Sequence, residues 1–130
     1  MKTVLITGGS RGIGLASALR FSKEGWNVYI TSRKKENLQA VLNVHPELKG
    51  YVAKADDLAA ASTTCQAIVD EAGSLDVLIN NAGVFIPCPL TEEGGEDAFE
   101  LMMNTNLYST YYLTQNLLPI VKGEGAQIFN

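Results

Sequence analysis

Glycine and small polar residues are concentrated at residues 7–14, which read Thr-Gly-Gly-Ser-Arg-Gly-Ile-Gly. An apolar run precedes this segment and a stretch with helical periodicity follows it, so the segment lies at a strand-to-helix turn. Glycines allow the backbone to approach a phosphate closely, and the free N–H groups of the helix attract an anion. The segment therefore predicts a phosphate-binding turn, with a tight turn that holds no ligand as the alternative.

Asn81, Ala82 and Gly83 form a second candidate segment, because they directly follow the apolar run at residues 75–80. In open α/β sheets, ligands bind beyond the carboxyl ends of parallel strands. Small residues at that place leave room for a ligand. The segment therefore predicts a second part of a binding site.

The elements that must position these segments alternate along the chain. Apolar runs predict strands at residues 2–7, 26–31, 50–55, 75–80 and 126–130, and periodicity predicts helices at residues 12–24, 34–44, 59–72 and 96–121. Strands that alternate with helices are typical of right-handed crossovers in a parallel sheet. The sequence therefore predicts an α/β fold.

Length and composition limit the fold and the classes of function. The chain has 130 residues, 46% hydrophobic and 18% charged, so it forms at most one domain and is not a disordered chain. It ends on an apolar strand, whereas domain boundaries usually fall in polar segments. We therefore expect residues 1–130 to be a domain truncated after the fifth strand, without its C-terminal strands and helices. The net charge of -4 argues against a nucleic-acid partner.

Metal-binding and membrane functions are disfavoured as well. Cys65, Cys88 and His45 are too few and too isolated for a metal site or a disulfide framework, which fits a cytoplasmic location. A run without charge at residues 101–121 has the length of a membrane span, but it contains many polar residues. We therefore expect no metal site and no membrane association.

Four motifs, in order along the chain, resemble those of the short-chain dehydrogenase/reductase family. The glycine turn has the spacing T-G-x-x-x-G-x-G rather than the strict G-x-G-x-x-G, and Asp57-Leu58 resembles the family's adenine-contacting pair. Residues 80–83 match the N-N-A-G motif, and Asn106 matches the catalytic asparagine. The resemblance implies a Rossmann-like doubly wound parallel sheet. It also implies hydride transfer between a nicotinamide cofactor and a small carbonyl or alcohol substrate.

Residues 32–35 bear on the choice of nucleotide. In dinucleotide-binding folds an acid at the end of the second strand bonds the adenosine ribose, whereas a nearby arginine accommodates the 2′-phosphate of NADP(H). Here Ser32 occupies the acidic position, Arg33, Lys34 and Lys35 follow it, and Arg11 lies inside the glycine turn. We therefore predict that NADP(H) is preferred over NAD(H). The alternative is a solvated basic start of a helix.

Cofactor binding is thus assigned to residues in four segments of the chain. They are Thr7, Gly8, Ser10, Arg11, Gly12, Ile13, Gly14, Ser32, Arg33, Asp57, Leu58, Asn81, Ala82 and Gly83. Asp57 has a second interpretation, because it also stands where a side chain would cap the helix predicted at residues 59–72.

The helix predicted at residues 96–121 carries Asn106. Helical spacing places this asparagine on a buried stripe with Phe99, Met103, Thr110, Leu113 and Leu117. A buried amide needs partners, because an unpaired one costs about 1–3 kcal/mol. The resemblance implies that Asn106 is catalytic, that it distorts the helix and that it holds a water of the proton relay. An ordinary buried asparagine is the alternative.

The same helix bears on assembly. It carries more apolar and aromatic side chains than one buried face needs, among them Tyr108, Tyr111, Tyr112 and Leu118. The family often uses this helix to form dimers. A homodimer or homotetramer through residues 96–121 is therefore expected.

The family's catalytic serine, tyrosine and lysine cannot be assigned in this sequence, since no tyrosine is followed by a lysine four residues later. We therefore expect the cofactor-binding part of an NADP-dependent dehydrogenase or reductase acting on CH–OH groups, inactive as this chain alone. The alternatives are a non-catalytic NADP(H)-binding sensor or interaction module and a relic that binds no ligand. The intact glycine turn, Arg11 and Arg33 argue against the relic.

Overall fold

A computed structural model of the chain describes residues 1–54, 57–121 and 124–130, and of Leu58 it describes the backbone only. Within these ranges there are five strands: β1 (Thr3–Ile6), β2 (Asn27–Ser32), β3 (Lys49–Val52), β4 (Val77–Ile79) and β5 (Gln127–Phe129). All neighbouring strands are parallel, and their order is β3-β2-β1-β4-β5. The predicted Rossmann-like parallel sheet is confirmed.

Helices connect the strands and cover the sheet. They are α1 (Gly12–Lys23), α2 (Lys35–Val44), α3 (Leu58–Ala72), α4 (Gly95–Met103) and α5 (Ser109–Leu117). The first three agree with the predicted helices to within a residue at either end. Gly25 and Gly73, with φ of 83° and 72°, follow α1 and α3 in the left-handed conformation that ends a helix.

Both faces of the central strands β1, β2 and β4 are buried, which explains why these strands are largely apolar runs rather than alternating ones, whereas β3 and β5 at the edges are more exposed. Val4 and Ile6 of β1 pack into a core with α1 and α2 on one face. Leu5, between them, points to the other face and packs with residues of α3 and α5. The sheet therefore holds its carboxyl edge rigidly between two cores.

The prediction of one helix at residues 96–121 is wrong. A π-helical turn, Asn104–Tyr108, separates α4 from α5, and α5 ends at Leu117. A π turn holds an extra residue, so later positions rotate by roughly 100° relative to a continuous α-helix. The predicted stripe is therefore not one face, and Phe99 is exposed. None of the helices in the described ranges has the length and apolar character needed to cross a membrane.

A polar cluster joins α3 to the edge of the sheet. The hydroxyl of the buried Tyr29 donates to Glu71 Oε2 at 2.9 Å, and that of Tyr51 donates to Glu71 Oε1 at 2.6 Å. The two rings stack with centroids 6.2 Å apart. The hydrogen bonds from Tyr51 and Tyr29 lower the pKa of Glu71, and burial together with the bond to Glu71 raises the pKa of Tyr51.

We predict that Glu71→Gln lowers the free energy of unfolding at neutral pH. Because the pKa of Glu71 is lower in the folded state, its contribution is complete above the unfolded value of about 4.3 and is lost as pH falls through the folded pKa. The difference between wild type and variant should therefore shrink in acid. Urea unfolding across this pH range measures it, with Asp70→Asn on the same helix as the charge-matched control. A difference that is constant with pH would contradict the assignment.

Candidate functional site

A cavity of about 390 Å³ opens at the carboxyl ends of the strands. It lies between the ends of β1 and β4. The chain continues from β1 to β2 on one side of β1, whereas β4 pairs with β1 on its other side, so this is the switch point of the sheet. Most of the predicted cofactor residues line it: Thr7, Gly8, Ser10, Arg11, Gly12, Ile13, Ser32, Arg33, Asn81, Ala82 and Gly83. Segments far apart in the sequence are therefore brought to one site.

Hydrogen bonds fasten the glycine turn to the end of β4. Thr7 Oγ1 accepts from the backbone N–H groups of Asn81 and Ala82, both at 3.0 Å. The Asn81 side-chain amide donates to the carbonyls of Thr7 and Gly8, both at 3.1 Å. These four bonds fix the two predicted segments relative to each other.

Gly14 contributes to this joint by packing, although it is not among the described residues that line the cavity. A Cβ at Gly14 would collide with the Gly8 carbonyl and lie 2.5 Å from Asn81 Nδ2. At Gly8, where φ is 65°, a Cβ would lie 2.9 Å from the Ala82 Cα. Only glycine allows the helix start, the turn and the end of β4 to approach this closely.

The start of α1 faces the cavity, and no side-chain cap accepts hydrogen bonds from its first backbone N–H groups. Its N-cap is Arg11, which makes no capping hydrogen bond, and its first turn contains no acidic residue. The first N–H groups of a helix carry a partial positive charge and need acceptors. Ile13 beside them is 79% exposed at the cavity wall. This arrangement offers donors to an anion and apolar surface next to it.

The end of the cavity near β2 is basic. Ser32 is buried, and its hydroxyl donates to Ser10 Oγ at 3.1 Å, which ties β2 to the glycine turn. Arg11, Arg33 and Lys34 line this end, and no Asp or Glu is among the described lining residues. The predicted basic cluster is thus part of the cavity, whereas Lys35 is not among its described lining residues.

Asp57 acts as the cap of α3. Its Oδ1 accepts from the Ala60 N–H at 3.0 Å, as the capping interpretation predicts. It is not among the described residues that line the cavity, and at this place Ala53 and Lys54 line it. The side chain of Leu58 lies outside the described part of the chain. An adenine contact by Asp57-Leu58 stays a prediction.

The rest of the cavity wall is not assigned to the site by the sequence, although Thr110 and Leu113 belong to the helix stripe that the sequence predicts to be buried. It is formed by side chains of the strand ends, α3 and the segment around the π turn: Thr31, Ala53, Ala61, Thr64, Leu101, Thr105, Ser109, Thr110 and Leu113. Asn37 of α2 also reaches the cavity. Helical spacing could identify Thr105 and Ser109 only with the π turn already known, because the turn changes which residues share a face.

Asn106 lies in the π turn and holds the loop after β4. The Val84 N–H donates to Asn106 Oδ1, and Asn106 Nδ2 donates to the Val84 carbonyl, both at 2.7 Å. The prediction that Asn106 is buried is wrong, because the π turn places the neighbouring Thr105 in the buried position. The expected distortion of the helix and the expected partners are present. Its catalytic role stays a prediction.

Asn106 also lines a second, open cavity next to the first. This space of about 530 Å³ shares Ala82, Gly83 and Val84 with the first cavity. Phe85 and Leu107 contribute apolar walls, so the space combines amide groups with apolar surface. Such a combination suits a small organic molecule that carries a polar group.

The strand order, the glycine turn and the cavity at the switch point define a nucleotide-binding α/β domain. The chain belongs to the short-chain dehydrogenase family, because the family model described as short chain dehydrogenase matches residues 2–130.

Individual relatives agree with this assignment. The chain is 36% identical to an oxidoreductase of Sarocladium schorii, over 95% of this chain and 50% of the relative. It is 35% identical to a chloroplastic NADPH-dependent aldehyde reductase of Arabidopsis thaliana, over 99% of this chain and 48% of the relative. The structure of a Pseudomonas aeruginosa RhlG/NADP active-site complex superposes with a TM-score of 0.83 at 30% identity, covering 92% of this chain and 48% of that one. The chain thus spans about half the length of these relatives.

We predict that Asn106→Ala loosens the loop at Val84, because both hydrogen bonds between the two residues are lost. Two net hydrogen bonds correspond to an increase of about tenfold or more in amide exchange at Val84. Exchange measured by NMR checks this. Asn116→Ala is the control, since Asn116 Nδ2 bonds only the Tyr112 carbonyl of its own helix among the described residues. Unchanged exchange at Val84 in Asn106→Ala would contradict the assignment.

Proposed function

We propose that this chain is the cofactor-binding part of an NADP(H)-dependent dehydrogenase or reductase that acts on a carbonyl or alcohol. The observation that carries the proposal is the cavity at the switch point, which joins the start of α1 to a basic end with no carboxylate among its described lining residues. One relative is named as an NADPH-dependent aldehyde reductase and one similar solved structure is a complex with NADP, which supports this choice of nucleotide. A cytoplasmic location remains part of the proposal.

The glycine turn leaves room for the phosphates of a dinucleotide. Gly12 lines the cavity, and a Cβ there would project into open space, whereas glycine at positions 8 and 14 lets the turn pack closely on Ala82 and Asn81. The N–H groups at the start of α1 would hold the phosphates. Asn81, Ala82 and Gly83 would line the nicotinamide ribose, next to the second cavity.

The chain's own residues supply binding and orientation rather than redox chemistry. When bound, the nicotinamide supplies or accepts the hydride. The Thr7 and Asn81 hydrogen bonds hold the walls of the site in place before any ligand arrives, so little ordering is left to occur on binding. Asn106 holds the Val84 backbone at the border between the two cavities, and we assign it the positioning of a water for proton transfer.

Discrimination between the two nucleotides rests on charge at the end of β2. A carboxylate there would accept hydrogen bonds from the ribose hydroxyls of NAD(H) and would repel the 2′-phosphate of NADP(H). The buried Ser32 and the exposed Arg33 present a hydroxyl and a guanidinium instead. A guanidinium can bond a phosphate with two parallel, charge-assisted hydrogen bonds.

We predict that the chain binds NADPH more tightly than NADH and that Arg33→Met lowers the affinity for NADPH by about 10- to 100-fold, the effect of losing charge-assisted hydrogen bonds. The affinity for NADH should change little. Fluorescence titrations at one fixed salt concentration measure both. Arg20→Met, which removes an exposed charge on α1 paired with Glu24 at 2.9 Å, is the control. Equal affinities of the wild type for both nucleotides would refute the NADP preference.

The substrate is proposed only as a class. The loop after β4 brings Phe85 to the second cavity, and 84% of Phe85 is exposed. An apolar wall next to the proposed nicotinamide position suits the carbon skeleton of an aldehyde, ketone or alcohol.

We also propose that the chain self-associates through the segment that runs from α4 to α5. Exposed aromatic and apolar side chains on this segment support the proposal: Phe99, Leu107, Tyr108, Tyr111 and Leu118. So many large apolar side chains on one surface segment are unusual for a monomer.

Tyr111→Glu combined with Leu118→Glu should shift the chain toward the monomer, because a charge buried between two copies loses its hydration. Sedimentation velocity measures the distribution of species. Val44→Glu is the control, since Val44 is an apolar residue on α2 that is more exposed than Tyr111 or Leu118. A monomeric wild type at all concentrations would contradict the proposal.

A further inference from the structure

Lys54 stands at the cavity as a direct consequence of the sheet register. Ser32 pairs with Val52, and the Ala53 N–H donates to the Ser32 carbonyl at 2.9 Å, so β3 remains bonded to β2 beyond its last strand residue. The Lys54 carbonyl then accepts from the Asp57 N–H at 3.0 Å. Lys54 is therefore held between the end of β2 and the capped start of α3, and it lines the cavity.

The charge balance of the cavity is the opposite of that of the chain. The chain has a net charge of -4, yet four of the nine Lys and Arg residues that the structure describes line this single cavity: Arg11, Arg33, Lys34 and Lys54. No Asp or Glu is among the residues that the structure describes along the cavity wall. Arg11 lies in the glycine turn, and Arg33 and Lys34 follow β2, so the sequence alone identifies these three cations. Lys54 lies instead after β3, and the sequence does not identify it.

We propose that Lys54 is a specificity-determining residue for the phosphorylated nucleotide, an inference that rests on the proposed function. Neighbouring strands lie about 4.8 Å apart, so the segment with Lys54 after β3 lies beside the segment with Ser32 and Arg33 at the end of β2. The distance between them is within the reach of one long side chain. Charges attract over a Debye length of about 8 Å at physiological salt. The Lys54 ammonium therefore adds to the attraction that Arg33 exerts on the 2′-phosphate.

Lys54 and Arg33 should act in different ways. An ammonium is a compact, strongly hydrated point charge on a flexible stem, whereas a guanidinium binds phosphate through a fixed fork. Lys54 is exposed, so its contribution should be modest and should weaken as salt is added. The Lys54 contribution thus has its own experimental signature.

The test is the dissociation constant of NADP⁺ and of NAD⁺ for the wild type, Lys54→Met and Lys54→Arg, at low and high salt. We expect Lys54→Met to weaken NADP⁺ binding by about threefold to fivefold at low salt, the effect of one exposed charge pair, with less effect at high salt. NAD⁺ binding should change by less than this, and Lys54→Arg should retain the wild-type preference. Lys23→Met, at the end of α1 away from the cavity, removes the same net charge and should change neither constant.

The outcomes separate the two proposals. A wild type with equal constants for NADP⁺ and NAD⁺ overturns the NADP preference itself. A wild type that prefers NADP⁺, with an unchanged ratio in Lys54→Met, overturns the role of Lys54 and leaves the proposed function intact. If Lys54→Met weakens the binding of NADP⁺ and NAD⁺ equally, the role of Lys54 in specificity is also overturned, because Lys54 would then contact a part that the two nucleotides share. Adenosine 2′,5′-bisphosphate and adenosine 5′-monophosphate, used as competing probes, repeat the comparison without the nicotinamide.

Discussion

The ends of β1 and β4 diverge from the sheet at its switch point, and their backbone polar groups must be satisfied where the strand ladder stops. Thr7 and Asn81 do this for each other's segments, since the threonine hydroxyl accepts two backbone N–H groups and the asparagine amide donates to two carbonyls. Unpaired groups at this depth would each cost about 1–3 kcal/mol. The joint leaves the cleft open toward solvent while keeping both of its walls together, and it holds the glycine turn in the conformation that the proposed anion binding requires.

The need to pair backbone polar groups beyond the strand ends also explains the contacts of Asn106. After Gly83 the loop has no strand to follow, and the amide of Asn106 takes the place of a strand partner by bonding both backbone groups of Val84. The π turn makes this possible, because it rotates Asn106 out of the packed face and leaves Thr105 in its place. A local irregularity of the helix thus serves the loop, and the loop forms the border between the two cavities.

Much of this fold follows from sequence, because the central strands β1, β2 and β4 are largely apolar runs buried on both sides and the turns carry glycines that few other residues could replace. Thr7, Ser32 and Asn81 could be assigned to the site because they stand at or just after strand ends, where parallel topology fixes their location, and Arg11 could be assigned because it lies in the glycine turn between β1 and α1. The burial of Asn106 could not be predicted correctly. Helical spacing assumes a constant 3.6 residues per turn, and one π turn breaks that assumption for every residue after it. Asp57 illustrates a different difficulty, since capping and ligand binding select the same residue type.

The charge pattern of the chain is a consequence of where its strands end. Acidic residues on the outer faces of helices, such as Glu36 and Asp70, are solvated and give the molecule its negative net charge. At the carboxyl edge of the sheet positive charge is favoured instead. The positive end of α1 faces the cavity there, and a carboxylate would compete with an incoming phosphate for it. Cations at the ends of β2 and β3 extend that positive field along the cleft, and low-dielectric walls strengthen it locally. A basic cavity in an acidic chain would thus attract the phosphates of the proposed dinucleotide despite the negative net charge of the chain.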